Sequence, residues 1–178
     1  MLGIRYPGSN DFSCRQPDPS EDEDTDASQT ILVPIRRLTN HLNSLASSLP
    51  SPTAISLYRR IAGHISNHIL QRQVLYRGRS RMSLKQGRAV LGEANLWVEG
   101  CRRAMFSSGL RRADGPWERL LEAGHLLSLD EETFLKVVNA ARLGNEKRYE
   151  ELAETYGFSE MSANDALAVL NAREDFPR

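Results

Sequence analysis

The sequence predicts an all-α protein: an antiparallel bundle of about seven helices behind a disordered acidic N-terminal tail. Leucine occurs 23 times, against 14 for valine and isoleucine together, and leucine favours helices whereas β-branched residues favour strands. Apolar residues recur at spacings of three and four, and no segment alternates with the period of two that is typical of a strand. The length of 178 residues is enough for one domain with a core.

Residues 1–30 are predicted to form the disordered tail. They carry seven acidic and two basic residues, including the run Asp18–Asp26, and their apolar residues are sparse and non-periodic. Such a segment buries too little apolar surface to offset its ordering entropy. The helical domain is therefore expected over residues 31–178.

Two helices are predicted first in this domain. The first carries a narrow apolar stripe made of Ile31, Ile35, Leu38, Leu42, Leu45 and Leu49. Pro50 and Pro52 end it, and Ser51 is predicted to cap a second helix that begins with Pro52 and runs to about Tyr76. Residues 77–81 then form a loop.

A third long helix is predicted over about residues 84–106, opened by Ser83 as its N-cap. Leu91, Trp97 and Cys101 lie along its broad apolar face. Its glycines, Gly87, Gly92 and Gly100, each cost about 1 kcal/mol of helix stability relative to alanine. We expect them to permit close approach of a neighbouring helix, because no strand is present to make them a phosphate loop.

Four shorter helices complete the prediction. One starts at residues 114–116 and ends near Leu127. The next follows a capping box at residues 128–131 and ends near Leu143. A third spans residues 145–156 and closes at Gly157, and the last follows a capping box at residues 162–165 and runs to about Arg173.

Charge is balanced overall but unevenly distributed. Residues 58–112 hold twelve basic and two acidic residues, whereas residues 113–178 hold seven basic and fourteen acidic ones. A basic middle can bind an acidic helix, anionic lipid or nucleic acid. It can also pair with the acidic helices of its own domain. Nucleic acid is not expected, because aromatic residues do not alternate with the arginines as a base-stacking surface requires.

No motif indicates an enzyme, a cofactor or a metal. His64 and His68 have the i, i+4 spacing of two metal ligands, but the glutamate and third ligand of a zinc-protease helix are missing, so we interpret them as a surface or half-buried pair. Cys101 is expected to be a buried structural thiol. No apolar stretch is long enough for a membrane span, and the first residues lack a signal peptide. We therefore expect a soluble, cytoplasmic protein.

The second helix, LYRRIAGHISNHILQRQVL at 57–75, resembles the C-terminal region of the RINT/TIP family, the endoplasmic-reticulum subunits of Dsl/NRZ-type vesicle-tethering complexes. The later features follow in the family's order: the helix around Leu91 and Trp97, the segment PWERLLEA at 116–123, and Phe134. The resemblance covers about residues 55–140. Because family members are several times longer, we expect the chain to correspond to the C-terminal end of their helical rod.

The resemblance implies a non-catalytic subunit that acts in retrograde transport from Golgi to endoplasmic reticulum. It implies ER SNARE proteins and other tethering subunits as partners, and a location peripheral to the endoplasmic reticulum membrane. Our candidates for pairing with acidic partner residues are the arginines of the second helix and the loop after it: Arg59, Arg60, Arg72, Arg77, Arg79 and Arg81. The alternative is a basic helical module that binds anionic lipid or nucleic acid.

Overall fold

The computed structural model describes residues 19–78, 80–143, 146–158 and 160–177. This part of the chain contains seven α-helices, which confirms the predicted all-α fold. They are α1 (Pro19–Ser48), α2 (Ser51–Ile69), α3 (Leu84–Ala104), α4 (Glu118–Ser128), α5 (Glu131–Arg142), α6 (Glu146–Tyr156) and α7 (Ala163–Leu170). A π-helical turn at Leu70–Leu75 continues α2, and short 3-10 turns lie at Phe106–Ser108 and Gly115–Trp117.

Helix α1 begins at Pro19, upstream of the apolar stripe that starts at Ile31. Acidic residues near a helix N-terminus are favoured by the helix dipole, which fits a start in the acidic run. Residues 1–18 of the predicted tail lie outside the described residues. The stripe itself packs as predicted: Leu42 is fully buried, and Ile35 and Leu38 pack partly buried against the core.

The helix starts confirm two of the predicted caps and correct two others. Ser83 forms a full capping box with Gln86, and the Ser162 hydroxyl accepts from the Asp165 amide. Helix α2 starts one residue early, with Pro50 as its N-cap and no side-chain hydrogen bond. Helix α5 is capped by Asp130 rather than by a box at Ser128, because the extended backbone of Asp130 places its carboxylate on the Thr133 amide, 3.1 Å away.

Helices α3 and α4 approach so closely that glycine is required where they meet. A Cβ added at Gly87 would lie 2.8 Å from the carbonyl carbon of Leu127 and closer still to its oxygen. A Cβ at Gly124 would lie 2.8 Å from the Cα of Leu91. Gly100 similarly faces Ile35 at 3.0 Å, but Gly92 has nothing within 4 Å. The close-approach prediction is therefore confirmed for Gly87 and Gly100 and wrong for Gly92.

A buried aromatic cluster joins α2 to this pair of helices. The rings of Trp97 and Trp117 stack with centroids 5.7 Å apart. Tyr58 is fully buried; its hydroxyl donates to the Ala113 carbonyl and accepts from the indole nitrogen of Trp117 at 3.1 Å. These bonds satisfy the tyrosine hydroxyl inside the core and fix the turn before α4 against α2.

The segment after α7 returns to the loop before α3. Met82 donates its amide to the Ala172 carbonyl at 2.7 Å and accepts from the Glu174 amide at 3.0 Å, which forms an isolated parallel bridge between Met82 and Arg173. Arg173 is only 2 % exposed. Its guanidinium pairs with Asp175, donates to the Leu129 carbonyl at 2.5 Å and lies 4.1 Å above the Phe134 ring.

Candidate partner-binding surface

Arg72 and Arg77 lie together at the C-terminal end of the second helix. Arg72 is on the π-helical turn and Arg77 follows shortly after it, and both side chains are exposed. They line one groove of about 430 Å³ against the first half of α3, with Gln73 and Gln86 also on its walls and Val90 at its apolar side. The structure therefore brings Arg72 and Arg77 to one groove, and it places Arg77 and Arg81 together on a second groove of about 310 Å³, which Leu75 also lines.

Two of the residues between these arginines in the sequence have exposed apolar surface. Tyr76 is 76 % exposed and Leu75 is also exposed. Tyrosine and arginine are enriched at protein interfaces and among their energetic hot spots. We name the set Arg72, Leu75, Tyr76 and Arg77 the arginine patch. It combines cations with apolar contact area, which a purely solvated face of a helix lacks.

The other predicted arginines have different settings. Arg59 and Arg60 are exposed on α2, about 18 Å along the helix from Arg72 at 1.5 Å per residue. Arg81 is half-buried, and its Nη1 donates to the Phe176 carbonyl at 3.3 Å, so it helps to hold the C-terminal segment. Arg79 lies outside the described residues.

The patch arginines form no ion pair within the described part of the chain, nor do Arg59 and Arg60. Pairing with the acidic C-terminal helices, the alternative for the basic middle, occurs instead at Arg112, whose guanidinium pairs with Glu118 at the start of α4. The guanidinium groups of Arg72 and Arg77 therefore keep donors available for an acidic ligand.

One acidic group reduces the positive charge of the groove. Glu93 on α3 lines the same groove as Arg72 and Arg77, and its partial burial raises the pKa of its carboxyl. A ligand that fills the groove must either leave Glu93 hydrated or offer it a hydrogen-bond donor. Arg72 and Arg77, rather than the part of the groove beside Glu93, are therefore the sites for carboxylates.

A larger groove, of about 650 Å³, lies between α6 and the segment that leads into α7, and it has the opposite charge. Its lining includes four glutamates and a single lysine, namely Glu150, Glu151, Glu154, Glu160 and Lys147. An acidic ligand would be repelled there. The arginine patch is therefore the better candidate for an acidic partner.

The remaining candidate groups occupy ordinary structural positions. His64 and His68 are both exposed on α2, and the described residues contain no cluster of three or more residues that could hold a metal ion. Cys101 is fully buried, as predicted. Burial raises the pKa of its thiol from 9.0 to about 12, so the thiol is protonated at neutral pH.

We expect stability to fall as the pH rises from about 9 towards 12. Burial raises the pKa of Cys101 to about 12 and that of Tyr149 from 10.0 to about 12, whereas the unfolded chain loses these protons at their ordinary pKa values. In that window the unfolded state binds fewer protons, so alkali favours it. Urea unfolding at several pH values measures the decline. In Cys101→Ala the decline should be shallower, and an unchanged slope would show that the thiol does not contribute.

The sequence does not single out Leu75 or Tyr76 as surface residues, because the second helix is expected to run to about Tyr76. The π-helical turn adds a residue to the helical repeat and so changes which side chains face the core. The available signal was the pair Tyr76-Arg77 directly before a glycine, where a helix end exposes its last side chains. Gly78 has a φ of 84°, which is typical of a residue that ends a helix.

None of the helices among the described residues combines the length and the apolar character that a membrane span requires. In the comparisons with known proteins, no protein-family model matches the chain. No curated protein and no solved structure matches it either.

Proposed function

We propose that the chain is a non-catalytic helical interaction module that binds an acidic helical segment of a partner protein through the arginine patch. The observation that carries this proposal is the exposure of Tyr76 between Arg72 and Arg77, neither of which has an ion pair in the described part of the chain. An exposed aromatic residue flanked by available guanidinium groups is the composition of an interface hot spot.

The geometry of the patch suits a helix. Residues three and four apart share one face of a helix, so two acidic residues of a partner can meet Arg72 and Arg77 together. Each guanidinium can hold a carboxylate through two parallel hydrogen bonds. Leu75 and Tyr76 then cover the apolar side of the same helix, which supplies the area that charge pairs alone do not.

The resemblance to the RINT/TIP family supports a more specific role within this proposal. The partners are then ER SNARE proteins and other subunits of a tethering complex. The process is retrograde transport from Golgi to endoplasmic reticulum, with the protein on the cytoplasmic side, peripheral to the endoplasmic reticulum membrane. The segment on which the resemblance depends, 57–75, ends at the first residues of the patch.

The double substitution Arg72→Glu/Arg77→Glu tests the site. We expect it to weaken binding to the purified cytosolic domain of an ER SNARE at least tenfold by calorimetry, because two attractive pairs become repulsive. The matched control is Arg59→Glu/Arg60→Glu, which reverses the same number of exposed charges outside the patch and should leave the affinity within about twofold.

If both double variants weakened binding equally, the effect would come from the overall charge of the protein rather than from the arginine patch. That result would contradict the proposed site. Binding of the intact chain to duplex DNA or to anionic vesicles through Arg72 and Arg77, with no binding to the SNARE domain, would instead support the alternative basic module. Mass spectrometry of proteins captured from a lysate, compared between the two variants, extends the test to tethering subunits.

A further inference from the structure

A second exposed aromatic residue lies at the other end of the bundle. Phe106 is 83 % exposed, the highest value among the large hydrophobic residues of the described chain. It occupies the 3-10 turn Phe106–Ser108, directly after α3. Burial of an aromatic ring in an apolar phase is favourable, so a ligand that covers Phe106 gains from this contact.

The turn holds Phe106 outward on a rigid backbone. Met105 on one side and Ser108 on the other are buried. The Ser108 amide and hydroxyl both bond to the Met105 carbonyl, at 3.1 Å and 2.7 Å. Gly109, with a φ of 74°, closes the turn and donates to the Phe106 carbonyl at 3.2 Å. Because the backbone is already ordered, a ligand that covers Phe106 pays little conformational entropy.

Four exposed arginines lie within six residues of Phe106 in the sequence: Arg102, Arg103, Arg111 and Arg112. No acidic residue lies between positions 100 and 113. Arg102 and Arg103 share the one carboxylate of Glu99. Arg112 pairs with Glu118 and, at 3.8 Å, with Asp114. The structure shows no ion pair of Arg111 among the described residues. The paired arginines are all more than half exposed, and such surface pairs are weak, so their guanidinium groups can exchange partners.

We propose that residues 102–112 dock on an anionic membrane surface, with Phe106 inserted at the boundary of headgroups and acyl chains and the arginines on lipid phosphates. An aromatic side chain at that depth with basic residues around it is the composition of an interfacial membrane anchor. Each arginine near an anionic leaflet adds attraction. A protein groove would need a complementary shape at Phe106, whereas a fluid surface accepts a single protruding ring.

This surface is independent of the arginine patch. The groove of Arg72 and Arg77 is lined by α3 residues from Gln86 to Glu93, whereas Phe106 follows the C-terminus of α3, so the two surfaces lie about 20–30 Å apart along the helix at 1.5 Å per residue. A protein that binds a membrane through one end and a partner helix through the other can hold that partner next to the membrane. Each end can be tested while the other is intact.

Placing tryptophan at each end locates the contact. We compare Phe106→Trp with Tyr76→Trp on vesicles of phosphatidylcholine that contain about 30 % phosphatidylserine and a brominated lipid quencher. We expect quenching of the tryptophan at position 106 and none beyond the background of the two native tryptophans at position 76. Vesicles without phosphatidylserine should give neither binding nor quenching.

Two further substitutions measure the contributions in vesicle sedimentation. Phe106→Ser should lower the partition coefficient about tenfold, and Arg111→Glu should lower it by a similar factor because one cation becomes an anion. Arg77→Glu, the matched charge reversal at the far end, should change it less than twofold. All these residues are exposed, so each variant should fold.

Several results would overturn the proposal. These are absence of binding to the anionic vesicles, equal quenching at positions 76 and 106, or equal loss from Arg77→Glu and Arg111→Glu. A concentration-dependent dimer that Phe106→Ser abolishes would assign Phe106 to a second copy of the chain instead. Failure of SNARE binding in the test of the arginine patch would leave this proposal standing, because the two tests read different surfaces.

Discussion

Replacing Arg173 with alanine is expected to lower the free energy of unfolding by about 3 kcal/mol, because a fully buried side chain loses its hydrogen bonds and leaves a cavity. Four interactions disappear together: the ion pair with Asp175, the hydrogen bonds to the Leu127 and Leu129 carbonyls and the stacking over Phe134. The Leu129 carbonyl loses this donor, and the alanine leaves a cavity where a 2 % exposed side chain stood. Urea unfolding monitored by circular dichroism measures the change.

Arg142 is the matched control for Arg173. Its guanidinium bonds to the Pro177 carbonyl and lies 4.5 Å above the Phe176 ring, so it holds the same C-terminal segment, but its side chain is exposed. Arg142→Ala should cost less than about 1 kcal/mol. Similar losses from the two variants would mean that burial at position 173 does not set the stability.

The variant Arg173→Lys distinguishes the contribution of the positive charge to stability from that of the guanidinium geometry. A lysine keeps the positive charge but cannot present two parallel donors to Asp175 while a third reaches the Leu129 carbonyl. Arg173→Lys should therefore recover only part of the loss. Full recovery would show that a buried cation alone is sufficient and that the fork of the guanidinium is not needed.

Replacing Gly87 with alanine is expected to destabilise the protein by about 2 kcal/mol, the cost of overpacking a close helix contact. The added Cβ would overlap the backbone of Leu127, and backbone cannot turn aside as the end of a flexible side chain can. Helices α3 and α4 would have to move apart, which loosens the core around Trp97 and Trp117. The loss outweighs the gain of up to about 1 kcal/mol that alanine brings to a helix interior.

Gly92, one and a half turns further along α3, is the control for Gly87. A Cβ at Gly92 meets nothing within 4 Å, so Gly92→Ala should raise the free energy of unfolding by up to about 1 kcal/mol. The two substitutions are chemically identical and should have opposite signs in the same unfolding experiment. A gain in stability at both positions would refute the close approach of α3 to α4.

The arrangement of helices along the chain could be predicted from the sequence because its determinants are local. The cap at Ser83 and the cap at Ser162 each involve a residue three positions later, and the stripe on α1 needs only the helical repeat. The corrected cap at Asp130 is a local error of two residues: Ser128 and Asp130 both suit a cap, and backbone geometry selected Asp130.

The candidate surface could be predicted only in part. The basic character of the region around Arg72 and Arg77 is visible in the sequence, but the groove that joins them needs α3 as its other wall. Arg59 and Arg60 also lie in the basic part of the sequence, but they are on α2, outside this groove. The exposure of Tyr76 depends on the π-helical turn, for which the sequence carries no reliable pattern.

By itself, the sequence determined the all-α class, the order of the helices and the burial of Cys101, because helical periodicity and capping depend on neighbours within one or two turns. The tertiary structure alone decided which arginines are used inside the fold and which remain on its surface. Arg173 meets the Leu129 carbonyl 44 residues away, and Arg81 meets the Phe176 carbonyl 95 residues away. An arginine becomes buried only when distant backbone carbonyls and a carboxylate converge to satisfy its donors, and that convergence exists only after the helices have packed.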